Sequence, residues 1–401
     1  MADLNRRLFL RGGAATLLGC SAAAHPWLTT VTLASGRAAL GDNRLVVVIL
    51  RGAMDGLDVV QPLGDPLLAR YRPTLGVETG AQTLTGYFGL HPALAGLLPL
   101  WQAGEVGFVH ATSTPYRDKR SHFDGQDILE AGTGRDVPEP EVRDGWLNRL
   151  LQAVPGIEAE TAYAIGREAL PLLAGAARAR SWTPELRLTL SPQSRRLLEA
   201  VYHDDPLFHE AGMAALELSA EFVPGKMAPV APGKGKQAEI DRLAGFATDR
   251  LLGETRIAAF SLAGWDTHRQ QAGALAPNLA QLERLILQLR AGLGDVWGQT
   301  TVLAMTEFGR TVAENGTRGT DHGTGGAMVM AGGALKGGRV LGRWPGLEEA
   351  ALYDRRDLMP TSDVRGWAAW AMRGLYGLER GVLEGAVFPG LEMGDDPRLL
   401  R

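Results

Sequence analysis

"RLVVVIL", residues 44–50, is a continuous apolar run rich in β-branched side chains. A strand buried on both faces reads this way, and such strands belong to parallel sheets covered by helices. The run opens directly into "RGAMDGLD", 51–58, where small residues surround Asp55. The chain then repeats the pattern. "HPALAGLLPLWQAGE" (91–105) has helical spacing and leads at once into a second strand, "VGFVHAT" (106–112). "TAYAIG" (161–166), "RIAAFSLAG" (256–264), "TTVLAMTEF" (300–308) and "GAMVMAGG" (326–333) read as further strands. "LAPNLAQLERLILQLRAGLGDVW" (275–297) is a strongly periodic helix, and "TSDVRGWAAWAMRGLYGL" (361–378) is a capped one. Strands alternating with helices imply an α/β fold, a doubly wound and mostly parallel sheet with helices on both faces.

Between about 135 and 255 the pattern changes. "PQSRRLLEAVYHDD" (192–205) and "AGMAALELSAEF" (211–222) look helical, and "VPGKMAPVAPGKGKQ" (223–237) reads as a linker. This stretch is expected to be a helical insertion in one domain spanning 40–401. The 401 residues, 45% hydrophobic and 21% charged, suffice for a large core. A net charge of -4 gives no reason to expect nucleic acid as a partner. The single cysteine, Cys20, lies near the N-terminus, so the main domain has no disulfide, thiolate metal site or cysteine nucleophile.

That N-terminus, "NRRLFLRGGAATLLGC" (5–20), pairs Arg6 with Arg7 ahead of a modestly apolar stretch. It resembles a twin-arginine export signal over residues 1–39, which implies a periplasmic or secreted protein. "LLGC" also resembles a lipoprotein cleavage box, with Cys20 as the lipidated residue. Pro26 and the many small residues argue against a stable membrane span.

Ligands in open α/β sheets bind beyond the carboxyl ends of the strands. There the chain places Asp55; then Ser121, His122 and Asp124 before a short helix; then "WDTH" with Asp266 and His268; then Glu307, Arg310 and "TDHG" with Asp321 and His322. Asp, Glu and His without Cys suit hard or borderline divalent cations: Mg²⁺, Mn²⁺, Ca²⁺ or Zn²⁺. Such ions polarise esters and activate water or hydroxyl groups. Each residue also has a bland reading. Asp55 before glycine fits a turn, and Ser121 fits a helix cap. Asp266 could bond His268 on a surface turn, and Glu307 could pair with Arg310. His91 reads as a cap or core residue, His110 is ambiguous, and His203 and His209 read as surface residues. "GTGG" (323–326) lacks a following Lys and is not a phosphate loop.

The leader, "LRGAMDGLDVV" (50–60), "YRDKRSHFDGQDILE" (116–130), "GWDTH" (264–268), "TEFGRT" (306–311), "TDHGTGGAMVMAGG" (320–333) and "GGRVLGRWPGL" (337–347), in this order, resemble domain-of-unknown-function family 1501. The resemblance covers about residues 40–395. The family is grouped with the alkaline phosphatase superfamily, beside sulfatases and cofactor-independent phosphoglycerate mutases. The resemblance implies an alkaline-phosphatase-like core with a two-metal site. In it Asp55 and Glu307 would bind one ion, and Asp266, His268 and His322 the other, with Asp321 adjoining. Ser121 would be the nucleophile and Arg310 a fixed cation for an anionic group. One departure matters: the superfamily has Asp-His where this chain has Glu307-Phe308. One metal site thereby loses a nitrogen ligand unless His122 supplies it, and one ion, two or none remain open.

Two main functions follow as expectations, and transfer of a phosphoryl-type group between carbohydrates is a third that the sequence does not separate from hydrolysis. The first is an exported metal-dependent hydrolase of phosphate or sulfate esters, with an anionic substrate that could be carbohydrate-linked. The second is a non-catalytic binding or assembly protein of the envelope on a degenerate hydrolase fold.

Overall fold

The computed structural model describes residues 40–75, 80–134, 143–154, 156–184 and 235–401. The leader, Cys20, His203, His209 and the helical stretches read at 192–222 lie outside the described residues. Strand β1 (Arg44–Arg51) is central to the main sheet. Strands β2 (Val60–Gln61), β3 (Gln82–Thr83) and β4 (Gly89–Leu90) form a small antiparallel sheet of their own. The others join β1: β5 (Val106–Ser113), β6 (Ala162–Ile165), β7 (Arg180–Trp182), β8 (Ile257–Ala263), β9 (Thr300–Met305), β10 (Gly326–Ala331), β11 (Val340–Leu341) and β12 (Ser362–Asp363). Their order is β11-β5-β10-β9-β1-β8-β6-β7, with β12 also on β5. Strand β10 runs antiparallel to β5 and β9; the other pairings in this sheet are parallel.

The strand that decides the fold behaves as its composition demands. Val46, Val48 and Leu50 point into one apolar core, and Leu45, Val47 and Ile49 into a second on the opposite face. The helices include α1 (Gly56–Val59), α2 (His122–Ala131), α3 (Trp146–Ala153), α4 (Lys236–Leu252), α5 (Gln271–Leu293) and α6 (Val364–Tyr376). The first core is closed by α4 and α5, the second by α3 and α6. Leu275, Leu279, Leu282, Ile286 and Leu289 form the buried stripe of α5. The expected doubly wound, mostly parallel architecture is therefore present.

Some boundaries differ, for physical reasons. Residues 92–102 split into a 3₁₀ segment, Pro92–Leu97, and a short helix, Leu98–Gln102. Pro99 has no N–H, so an unbroken α-helical ladder cannot run through it. Helix α5 starts at Gln271, before the apolar period begins, because Gln270 and Gln271 donate their N–H groups to Thr317 and Arg318 carbonyls. Of the stretch 135–255, residues 135–142, 155 and 185–234 lie outside the described residues. Its described elements include α3, α4, and strands β6 and β7, which extend the main sheet past β8.

Two histidines are held away from any ligand role. His91 caps Pro92–Leu97, its Nδ1 accepting from Ala93 N at 3.1 Å. His110 is buried; Nδ1 accepts from Ala111 N and Nε2 donates to Val60 O, both at 2.9 Å. Burial pushes its pKa down to about 4, against the pull of the Val60 carbonyl. An unfolded histidine titrates near 6.5, so the unfolded chain takes up the proton first and stability falls as pH drops from about 6.5 towards 4. That interval corresponds to about 3 kcal/mol. Urea titrations across this range should show the loss, and His110→Phe should flatten it; an unchanged slope would refute the neutral, buried His110.

Candidate metal centre

The carboxyl ends of β1, β8 and β9 converge with the N-terminus of α2. Gly52 leaves β1 with φ +121, and a Cβ there would lie 2.4 Å from Asp266 N, so only glycine lets the two strand exits approach so closely. The loop between β9 and β10 folds back on itself: Gly323 N donates to Gly309 O, Gly309 N donates to Thr324 O, and Arg310 pairs with His322. A Cβ on Gly309 would lie 1.9 Å from Gly325 O, which accounts for the glycines interleaved with the ionisable residues.

Asp266 stands at the middle of the cluster. Its Oδ1 accepts from Arg310 Nη2 at 2.9 Å and lies 3.0 Å from His268 Nε2 and 3.3 Å from both His122 Nε2 and His322 Nε2. Burial would raise its carboxyl, but Arg310 and the three imidazoles outweigh this and hold it below the usual range. His268 Nε2 and His322 Nε2 are 2.9 Å apart.

The far side of each imidazole decides what its Nε2 can do. His122 Nδ1 is 2.8 Å from Glu307 Oε1, His268 Nδ1 is 3.0 Å from Asp321 Oδ1, and His322 Nδ1 is 2.8 Å from Arg120 O. All three partners are acceptors, so they assign the proton to Nδ1, and a neutral ring then presents an Nε2 lone pair to the cluster. Three lone pairs and one carboxylate oxygen, with the close pairs 2.9–3.3 Å apart, repel one another unless a cation or an added proton lies among them. A tetrahedral zinc site with bonds of about 2.0–2.1 Å has edges of about 3.3–3.4 Å, and its histidines commonly carry carboxylate or carbonyl partners on the other nitrogen. The residues fit such an ion: His122, Asp266 and His322 group within ligand distance, and His268 adjoins them.

The supporting residues are held in turn. Glu307 is fully buried, and its Oε1 also accepts from Gly52 N at 2.9 Å and Gln126 Nε2 at 3.2 Å. Burial would raise its carboxyl, but the bonds from His122, Gln126 and Thr306 overcome this and lower it. Burial opposes a charged His122, yet the Glu307 bond raises it above its ordinary value. His322 is lowered, by burial first and then by its cationic neighbours. Phe308, which cannot bind metal, stacks on the His122 ring at 5.2 Å, and Tyr116 stacks on Phe308 at 6.0 Å. Asp321 is tied by Asn315 Nδ2 at 3.0 Å as well as by His268. Arg120, whose carbonyl receives His322, has φ 52, a conformation uncommon outside glycine.

Each residue singled out in the sequence can now be placed. Asp266, His268, Arg310 and His322 converge, and Asp321 and Glu307 touch the imidazoles from behind. Arg310 pairs with Asp266, and its buried Nε and Nη1 have no hydrogen-bond partner among the described residues. Asp55 lies apart from the imidazoles: Oδ1 accepts from Leu57 N, capping α1, and Oδ2 from Arg72 Nη1 at 2.7 Å and Gln271 Nε2 at 2.6 Å. Ser121 caps α2 with a long contact, Asp124 N to Oγ at 3.4 Å, and lies between Arg120 and His122. Arg72, Gln271 and Asn315 carried no signal in the sequence. His122 did, as the first residue of the helix that Ser121 opens.

The fold and donor set define a doubly wound α/β protein with a candidate metal centre at the carboxyl ends of its strands. The chain belongs to the DUF1501 family, described as a protein of unknown function, whose model matches residues 111–364. A search of curated proteins returned no match. Among solved structures, the lipoteichoic acid synthase LtaP from Listeria monocytogenes matches at 9% identity and TM-score 0.41, covering 88% of this chain and 77% of that one. An alkaline phosphatase superfamily protein from Vibrio parahaemolyticus matches at 12% and 0.42, covering 90% and 72%. A variant alkaline phosphatase from the Antarctic bacterium TAB5, solved with Mg bound, matches at 11% and 0.33, covering 72% and 90%. No described helix is long and apolar enough to cross a membrane.

The Asp55–Arg72 pair is buried at both ends, 1% and 0% exposed. Breaking a buried pair by removing one partner costs about 3–5 kcal/mol, because the other charge is stranded. Arg72→Met should lower the unfolding free energy by that amount. Arg72→Met with Asp55→Asn should recover part of it in a double-mutant cycle; full additivity would mean that the two charges do not interact.

Proposed function

We propose that the chain binds one divalent ion of the zinc class through His122, Asp266, His268 and His322, and hydrolyses phosphate or sulfate esters there. The observation that carries this reading is the set of three Nε2 atoms whose Nδ1 protons are already committed elsewhere. Three imidazoles favour zinc and similar borderline ions over Mg²⁺ or Ca²⁺, which prefer oxygen. When bound, such an ion supplies Lewis-acid polarisation of an ester oxygen.

The chain's own residues do the rest. Arg310 keeps one nitrogen on Asp266, while Nε and Nη1 are left to donate to the oxygens of an anionic group. Buried donors of this kind act at low dielectric, where they stabilise developing charge far more than in water. Ser121 is the nucleophile this reading assigns, since among the described residues its hydroxyl makes only a long capping contact and its neighbours on both sides touch the cluster. Arg6 and Arg7 support export by the twin-arginine route.

Elemental analysis of the full chain purified without chelator should find one zinc-class ion per molecule, lost in His268→Ala and in His322→Ala. Arg310→Met should keep the ion but lose about 10²-fold or more in turnover of aryl phosphate or sulfate esters. Ser121→Ala separates attack by the hydroxyl from attack by water. A metal-free wild type would overturn the reading. A loaded wild type that turns over no ester would favour the binding protein, a reading that the engagement of Asp55 by Arg72 and Gln271 also favours.

A further inference from the structure

We propose that Gln271 is a positioning residue that sets the cation affinity of the centre; the inference rests on the one-ion reading above. Gln271 is the first residue of α5, is fully buried, and touches none of the four donors. Its carboxamide nevertheless links the two segments that carry three of them. Oε1 accepts from Thr267 Oγ1 at 2.8 Å and from Thr320 Oγ1 at 2.7 Å. Thr267 lies between Asp266 and His268, and Thr320 immediately precedes Asp321 and His322. On the other side, Nε2 donates to Asp55 Oδ2 at 2.6 Å and Asp58 Oδ2 at 2.9 Å.

These four bonds use the whole capacity of a carboxamide, two donors and two lone pairs. They also fix its orientation, since a flip would turn the amide oxygen towards two carboxyl groups. Both threonines are buried, and Thr320 N donates to Thr267 O at 3.2 Å. One oxygen atom thus ties the two segments together, beside that backbone bond, near the point where His268 and His322 project with their Nε2 atoms 2.9 Å apart. Asp55, anchored by Arg72, holds the carboxamide from behind. The buried Asp55–Arg72 pair is thereby connected to the centre without contributing a ligand.

The test uses the full chain as wild type, Gln271→Leu and Thr320→Val. Zn²⁺ dissociation constants are measured by competition with a chromophoric chelator. The visible spectrum of the Co²⁺ form reports ligand geometry, and thermal melts of the metal-free forms report stability. Removal of groups that orient metal ligands typically weakens binding by about 10–100-fold, and Gln271→Leu should fall in that range with an altered Co²⁺ spectrum. Thr320→Val keeps the side-chain shape and deletes one of the four bonds, so it should weaken Zn²⁺ by a smaller factor, and it decides the matter if Gln271→Leu does not fold. Unchanged affinity and an unchanged Co²⁺ spectrum beside a lowered melting temperature would overturn the positioning role and leave the one-ion reading standing. A wild type that binds neither ion would overturn both.

Discussion

Three imidazole rings can gather on one carboxylate oxygen, two of them with Nε2 atoms 2.9 Å apart, only if something other than the rings decides where their protons are. Here Glu307, Asp321 and the Arg120 carbonyl decide it, each taking an Nδ1 proton from behind. The fold is arranged to supply those three acceptors. Glu307 comes directly off β9 and is braced by the N–H of Gly52 at the end of β1. Asp321 and His322 arrive on a loop that returns along the β9 exit through glycine contacts too close for any side chain. Arg120 takes a left-handed backbone conformation that presents its carbonyl. The cost of that conformation, of order 1–3 kcal/mol at such positions, is carried by the surrounding hydrogen bonds.

The fold was legible because its signal is local. Apolar runs such as 44–50 and 106–112 can be buried on both faces only in a covered sheet, and the strands form where those runs lie. Misplaced boundaries arose where a single group overrides the period: the missing N–H of Pro99, and the carbonyls of Thr317 and Arg318 that begin α5 early. For the centre, position was legible and role was not. Residues after parallel strands gather at one edge, so Asp266, His268, Glu307, Arg310, Asp321 and His322 could all be picked out. Whether an acidic residue faces a metal or the back of an imidazole depends on side-chain direction in a loop, which spacing does not encode. Asp321 and Glu307 carry the same charge as Asp266 and touch the rings from the opposite side.

Asp55 shows the same limit from another direction. It follows the first strand, where a ligand is expected, and a carboxylate there is consistent with a metal site. The group that engages it, Arg72, lies seventeen positions on, in a segment with no motif. Its guanidinium is also fixed from the far side, Nε donating to Val312 O at 2.9 Å and Nη2 to Thr311 O at 2.8 Å. Those two residues follow Arg310 directly, so the pair braces the strand exit that carries the buried cation. A guanidinium so placed does for a buried carboxylate what a cation would do, and does it with fixed geometry.

Charge bookkeeping around the centre then favours one ion over two. With neutral imidazoles, Asp266, Glu307 and Asp321 contribute three negative charges and Arg310 one positive charge, which leaves a deficit equal to a single divalent cation. Asp55 and Arg72 cancel each other. A second divalent ion between Asp55 and Glu307 would have to displace a buried guanidinium from three partners and pull Glu307 away from His122. It would also place two more charges beside Arg310, whose Nε and Nη1 have no hydrogen-bond partner among the described residues. Under the proposed one-ion reading the site would be close to neutral, and the charge of an anionic group would then be met mainly by Arg310.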